Sequence, residues 1–96
     1  FEVDLTWSAG KLTHAALRSK LGGNLRLRTN EPVTISDGAT RTPALGQNPN
    51  PFFRTVAPGQ PIIAPGATLP DIKVRPAHTV DLATTPGTTV VIAPAR

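Results

Sequence analysis

Eight of the eleven prolines fall between residues 42 and 76, at 43, 49, 51, 58, 61, 65, 70 and 76. Each lacks an amide donor and holds φ near about −65°, so neither a regular ladder nor a helix interior is expected across that stretch. Regular structure must come from the segments on either side. A long irregular segment inside a small domain needs a reason to be ordered, and packing is the physical candidate. Phe52, Phe53, Val56, Ile62, Ile63 and Leu69 stand within it at irregular spacing. That is the pattern of an extended strap laid on a surface, not of a linker that stays solvated, so these six are the candidate domain-packing residues.

The flanking segments read as strands. Phe1, Val3, Leu5 and Trp7 alternate with Glu2, Asp4 and Thr6, which predicts a half-buried strand whose apolar stripe, Trp7 included, belongs to the core. Ser8-Ala9-Gly10-Lys11 is a short connection in which Gly can take a positive φ, so the next run should return as a hairpin. That run, Leu12 to Ser19, carries some helix propensity at Ala15-Ala16-Leu17-Arg18 but is too short for a free-standing helix and is bounded by turn signals. After Gly22-Gly23-Asn24 the chain alternates again, with Leu25 and Leu27 inward and Arg26 and Arg28 outward. Pro32 interrupts, Val33 to Ile35 is a short strand, and Ser36-Asp37-Gly38 reads as a turn. Near the end, Thr79 to Leu82 alternates, Thr85-Pro86-Gly87 turns, and Thr88 to Ile92 is β-branched, a second expected hairpin. The fold class is all-β: a small antiparallel β-sandwich, or one twisted sheet needing cover, of about five or six strands with a long proline-rich irregular segment.

Ninety-six residues make one domain with a small core. The aromatic inventory is Phe1, Trp7, Phe52 and Phe53, with no Tyr, Met or Cys, so a partner surface is expected. Opening at Phe1 inside a strand-like pattern, the sequence reads as a single accessory domain, residues 1–96, cut from a larger chain. No apolar run approaches the roughly 20 residues of a membrane-spanning helix, and no membrane contact is expected. The net charge of +4 arises from scattered basic residues, densest at Arg18, Lys20, Arg26 and Arg28. No aromatic is interleaved there to stack bases, so nucleic-acid binding is not expected.

No residue pattern carries chemistry. Glu2 and Asp4 share a strand face, but nothing apolar surrounds them to raise a carboxyl into the general-acid range. His14 and His78 are far apart and belong to no metal-ligand spacing. Ser8, Ser19 and Ser36 adjoin turns, where hydroxyls satisfy backbone groups, and none sits in a nucleophile elbow. Gly22-Gly23-Asn24 lacks the following Lys and helix of a phosphate loop. Trp7 could stack on a sugar, but its stripe reads as core. Catalytic, cofactor-binding and metal-ligating residues are therefore all assigned as none.

Phe1-Glu2-Val3-Asp4-Leu5-Thr6-Trp7, Gly10-Lys11-Leu12 and Leu17-Arg18-Ser19 with Gly22-Gly23 together resemble the start of the C-terminal β-domain of glycoside hydrolase family 95, which contains α-L-fucosidases and some α-L-galactosidases. Val80-Asp81-Leu82-Ala83-Thr84 with Pro86-Gly87 is similar to that domain's closing hairpin. Residues 39 to 76 are richer in Pro and Ala than the family pattern, and Val90 stands where an aromatic often follows the last turn. The resemblance implies a bacterial, periplasmic or secreted parent enzyme whose catalytic carboxylates lie in an (α/α)6 barrel. The present chain would be its non-catalytic C-terminal accessory domain, packing against and stabilising that barrel, with no cofactor. None of the barrel motifs occurs here, so no catalytic residue transfers to any position. Alternative readings are an independent carbohydrate-binding module, with possible glycan contact, or an Ig-like adhesive module.

Overall fold

A computed structural model describes residues 1–36 and 40–95. Asp37 and Gly38 of the expected Ser36-Asp37-Gly38 turn lie outside the described residues. The described chain is all-β, with β1 Glu2–Ser8, β2 Lys11–Arg18, β3 Gly23–Thr29, β4 Val33–Ile35, β5 Arg41–Pro43, β6 His78–Thr84 and β7 Thr89–Pro94. These form two antiparallel sheets, one ordered β1-β2-β7-β4 and the other β3-β6-β5. The arrangement is a sandwich, not a single covered sheet. β5 adds a strand to those expected and carries a ladder two residues into the proline-rich segment, because Pro43 ends it on a sheet margin, where a missing donor is tolerated.

The first hairpin forms as expected. Ala9 and Gly10 both have positive φ, 49° and 74°, the twist that a two-residue connection between right-twisted strands requires. The register then shifts: Thr6 faces His14 while Trp7 faces Leu12, leaving Thr13 as an extra residue in β2. Its hydroxyl donates to the Thr6 carbonyl at 3.0 Å. The bulge returns Leu12 to the inner face beside the core, which explains why the apolar spacing of this run resembles a helix.

The second expected hairpin does not form. β6 and β7 do not pair with each other; the Thr85–Thr88 connection carries the chain from one sheet to the other, as residues 19–22 do between β2 and β3. The two crossovers lean together. Ser19 N donates to Thr88 O and Gly87 N to Ser19 O, both at 2.8 Å, and the buried hydroxyls of Ser19 and Thr84 share a hydrogen bond at 2.8 Å. Ser19 Oγ also accepts from Gly22 N, and Thr84 Oγ1 donates to Gly23 O. The hairpin expectation failed because a four-residue turn says nothing about which sheet receives the next strand; these hydrogen bonds decide it.

Stacked crossovers place β3 over β2 and β6 over β7. The Arg41 guanidinium donates to Val33 O at 3.4 Å, so β5 lies towards β4. Ala15 and Leu17 of β2, Leu25 of β3, Leu82 of β6, and Val90 and Ile92 of β7 fill the space between, with Leu12, Leu27, Val33 and Ile35 at its rim. With four strands opposing three, β1 has no counterpart. Val3 and Leu5 sit opposite Leu17 and Ala15 and so share their face, yet they are 51% and 54% exposed where Leu17 and Ala15 are 7% and 2%. The expectation that the Phe1-to-Trp7 stripe is core is therefore corrected: Trp7 is 67% exposed. Alternation is correct, but no second layer covers it.

From residue 51 to 76 every residue is exposed and no strand forms. The radius of gyration is 16.8 Å, against about 12.5 Å for a compact chain of this length. Past Phe53 the strap extends as exposed chain.

Candidate functional site

The uncovered face of β1 continues around the margin of β3 into a cleft of about 310 Å³, lined in part by Phe1, Leu21, Leu25, Phe52 and Phe53. Local chemistry holds the two phenylalanines there. Asn24 Nδ2 donates to Asn48 Oδ1 at 2.9 Å, and the same oxygen accepts from Asn50 N at 3.0 Å. Buried Asn50 donates through Nδ2 to Asn24 O at 2.8 Å and accepts at Oδ1 from Phe52 N at 2.8 Å, while Phe53 N donates to Asn50 O at 3.1 Å. The side chains of Asn48 and Asn50 thus replace backbone partners that a proline-flanked turn cannot supply. Gly23 leaves room for this: a Cβ there would meet Asn50 Nδ2 at 2.8 Å.

A second anchor lies on the outer face of the smaller sheet. Arg26 and Asp81 are cross-strand partners, joined by Nε to Oδ1 at 2.9 Å and Nη2 to Oδ2 at 3.0 Å. Arg26 also donates to the carbonyls of Gly46 at 2.6 Å and Leu45 at 3.2 Å, so one planar fork clamps the start of the irregular segment to the sheet. The hydrogen bond from Arg26 holds the Asp81 carboxyl below its ordinary value, with a further lowering from Asn24 against an opposing effect of burial. A lowered pKa in the fold means stability that is present above the ordinary value of 3.8 and lost as pH falls through the lower folded value. In acid titrations below about pH 4, Asp81→Asn should therefore flatten the loss of melting temperature seen in the parent chain. A titration unchanged by the substitution would remove this role from the pair.

A second group of charges pairs at the first hairpin. Arg18 contacts Glu2 and Asp4, and Lys20 contacts Glu2, on the exposed outer face of the β1-β2 hairpin. Lys20 is the main cause of a Glu2 carboxyl held below its ordinary value, opposite to the shift a general acid at neutral pH requires. His14 and His78 lie in different sheets, and among the described residues no group of three or more His, Asp or Glu side chains gathers. Among the described residues no helix is long and apolar enough to cross a membrane.

Of the six candidate packing residues, Phe52 and Phe53 come together at the cleft. Val56, Ile62, Ile63 and Leu69 lie on the exposed strap beyond it. Sequence reasoning missed Phe1, Val3, Leu5, Trp7 and Leu21 as surface residues. The available signal was the scarcity of large side chains elsewhere, too few to bury that stripe from both sides. Compared with known protein families and with curated proteins, the chain matches no family model and no curated sequence.

Proposed function

We propose that this chain is the non-catalytic accessory β-domain of a bacterial glycoside hydrolase of the α-L-fucosidase kind, periplasmic or secreted, which docks on and stabilises the (α/α)6 catalytic barrel of the same parent chain. The observation carrying the reading is the uncovered inner face of β1. Phe1, Val3, Leu5 and Trp7 are exposed there, and Leu21, Phe52 and Phe53 are exposed around the adjoining cleft. Soluble monomers rarely leave an apolar patch of several hundred Å² open, and such patches mark interaction surfaces. Covering each large side chain contributes roughly 1.5–3 kcal/mol, and burial of a few is enough to hold a small domain in place. The barrel as partner comes from the sequence resemblance at the two ends of the chain.

Replacing Phe52 and Phe53 by Ala should lower the melting temperature of the parent enzyme by several degrees. The same changes should leave the isolated 96-residue chain nearly unaffected, since both rings are exposed in it. Unchanged melting and unchanged activity of the parent would remove the docking role from these residues.

Exposure of Trp7 favours one other reading, an independent carbohydrate-binding module in which the indole stacks on a sugar ring. Titrating the isolated chain with fucosylated oligosaccharides while following Trp7 fluorescence separates the two. A docking domain shows no saturable change, whereas a glycan-binding module does.

A further inference from the structure

The gap above β1 is bounded on its other side by an open strand margin. Among the described residues β3 is the outermost strand of its sheet and pairs only with β6. Its Asn24 carbonyl accepts the Asn50 side-chain amide, a bond made away from the β6 ladder. In an antiparallel strand the amide and carbonyl of one residue point to the same side and alternate along the chain, so those of Arg26 and Arg28 face that margin too. Margins of this kind are usually blunted by prolines, bulges or a covering loop. Here Asn50 caps the first position, and β3 holds neither a proline nor a register shift.

Two deficits therefore meet in one place. Backbone groups of β3 lack a ladder, and Val3 and Leu5 of the opposing sheet lack a lid. One strand set beside β3 at the usual spacing of about 4.8 Å would answer both, since its inward side chains would lie over β1. Its outward side chains would meet cations. Arg28 points outward from β3, Arg54 lines a second cleft with Arg26 and Phe53, and neither Arg28 nor Arg54 makes an ion pair among the described residues. We infer that the open margin of β3 accepts one extended segment of the docking partner as a fourth strand of that sheet, a segment alternating apolar side chains with carboxylates. This deepens the accessory-domain reading and rests on it for the source of the strand. Main-chain hydrogen bonds would supply affinity, and alternate side chains specificity.

The test uses the 96-residue chain and a capped octapeptide alternating valine with glutamate. Saturable binding is expected, with exchange of the Arg26 and Arg28 amides slowed at least about tenfold. Lysine in place of glutamate should weaken binding about tenfold, and Arg28→Glu should reverse that preference. A peptide methylated at the amides that face β3 should not bind. Equal binding of the methylated peptide, or unchanged exchange at Arg28, overturns the inference. The outcome is separable from that of the accessory reading. A silent peptide with a destabilised Phe52 and Phe53 double variant of the parent leaves docking and removes strand addition, and the opposite pair of results does the reverse.

Discussion

Leu82→Ala is expected to lower the melting temperature of the isolated chain by about 8–40 °C. Leu82 has no exposed surface and stands opposite Leu25 in the middle strand of the smaller sheet, facing the β2 and β7 side chains. Truncating a buried Leu removes its transfer free energy and leaves a cavity, together about 2–5 kcal/mol. The site cannot collapse easily, because strands on both sides are fixed in register. Among the described residues only six apolar side chains are buried, so the lost contacts are a large share of a total that is about 5–15 kcal/mol for a typical domain. Val56→Ala, on the exposed strap, should shift melting by less than about 2 °C. Similar effects at both positions in thermal melts would mean that the core lies elsewhere.

Gly22→Ala should cost about 2–4 kcal/mol, from two sources that can be separated. The first is backbone: φ at Gly22 is +74°, a conformation that disfavours a side chain. The second is space, since a Cβ would lie 2.8 Å from Pro86 Cδ and 3.3 Å from Pro86 N. The proline ring cannot swing aside, so the two crossovers would have to part and their Ser19 hydrogen bonds would stretch. Gly10→Ala has the same φ of +74° but nothing within 4 Å, so it should carry the backbone cost of about 1–2 kcal/mol alone. In a Pro86→Ala background, Gly22→Ala should approach the Gly10→Ala value. Urea denaturation of the parent chain and these four variants checks this, and equal costs for Gly22→Ala and Gly10→Ala would exclude the close approach to Pro86.

How much of this was legible depends on which distances a residue pattern can report. Alternation is a property of one strand, so the outward placing of Arg26 and the inward placing of Leu25 and Leu27 could be read directly. The Asp81 partnership could almost be read, because Val80-Asp81-Leu82 alternates in the same sense, but nothing local says that residues 26 and 81 are opposite. Trp7 shows the limit. Its stripe tells which side chains share a face, whereas covering that face depends on how many strands the other sheet contains. Pairing of β6 with β3 and of β7 with β2 was likewise illegible, being decided by Ser19, Thr84 and Pro86 acting across the two crossovers. The proline-rich segment was read correctly as irregular from residue 44 onward. Its anchoring by Asn48, Asn50 and Arg26 was not foreseen, since each bond links residues about twenty or more positions apart.

On the proposed function, the β1 face is a docking surface open in the isolated chain and covered in the parent enzyme. Trp7 is the only tryptophan of the sequence and stands exposed at the hairpin end of that face. Labelling it as 5-fluorotryptophan in the isolated chain and adding the separately produced barrel of the parent, without fluorine, reports on this one side chain. A single solvent-exposed fluorine resonance is expected, shifting saturably at one barrel per chain and becoming protected from a soluble paramagnetic quencher. A resonance that neither shifts nor gains protection at any barrel concentration would contradict it.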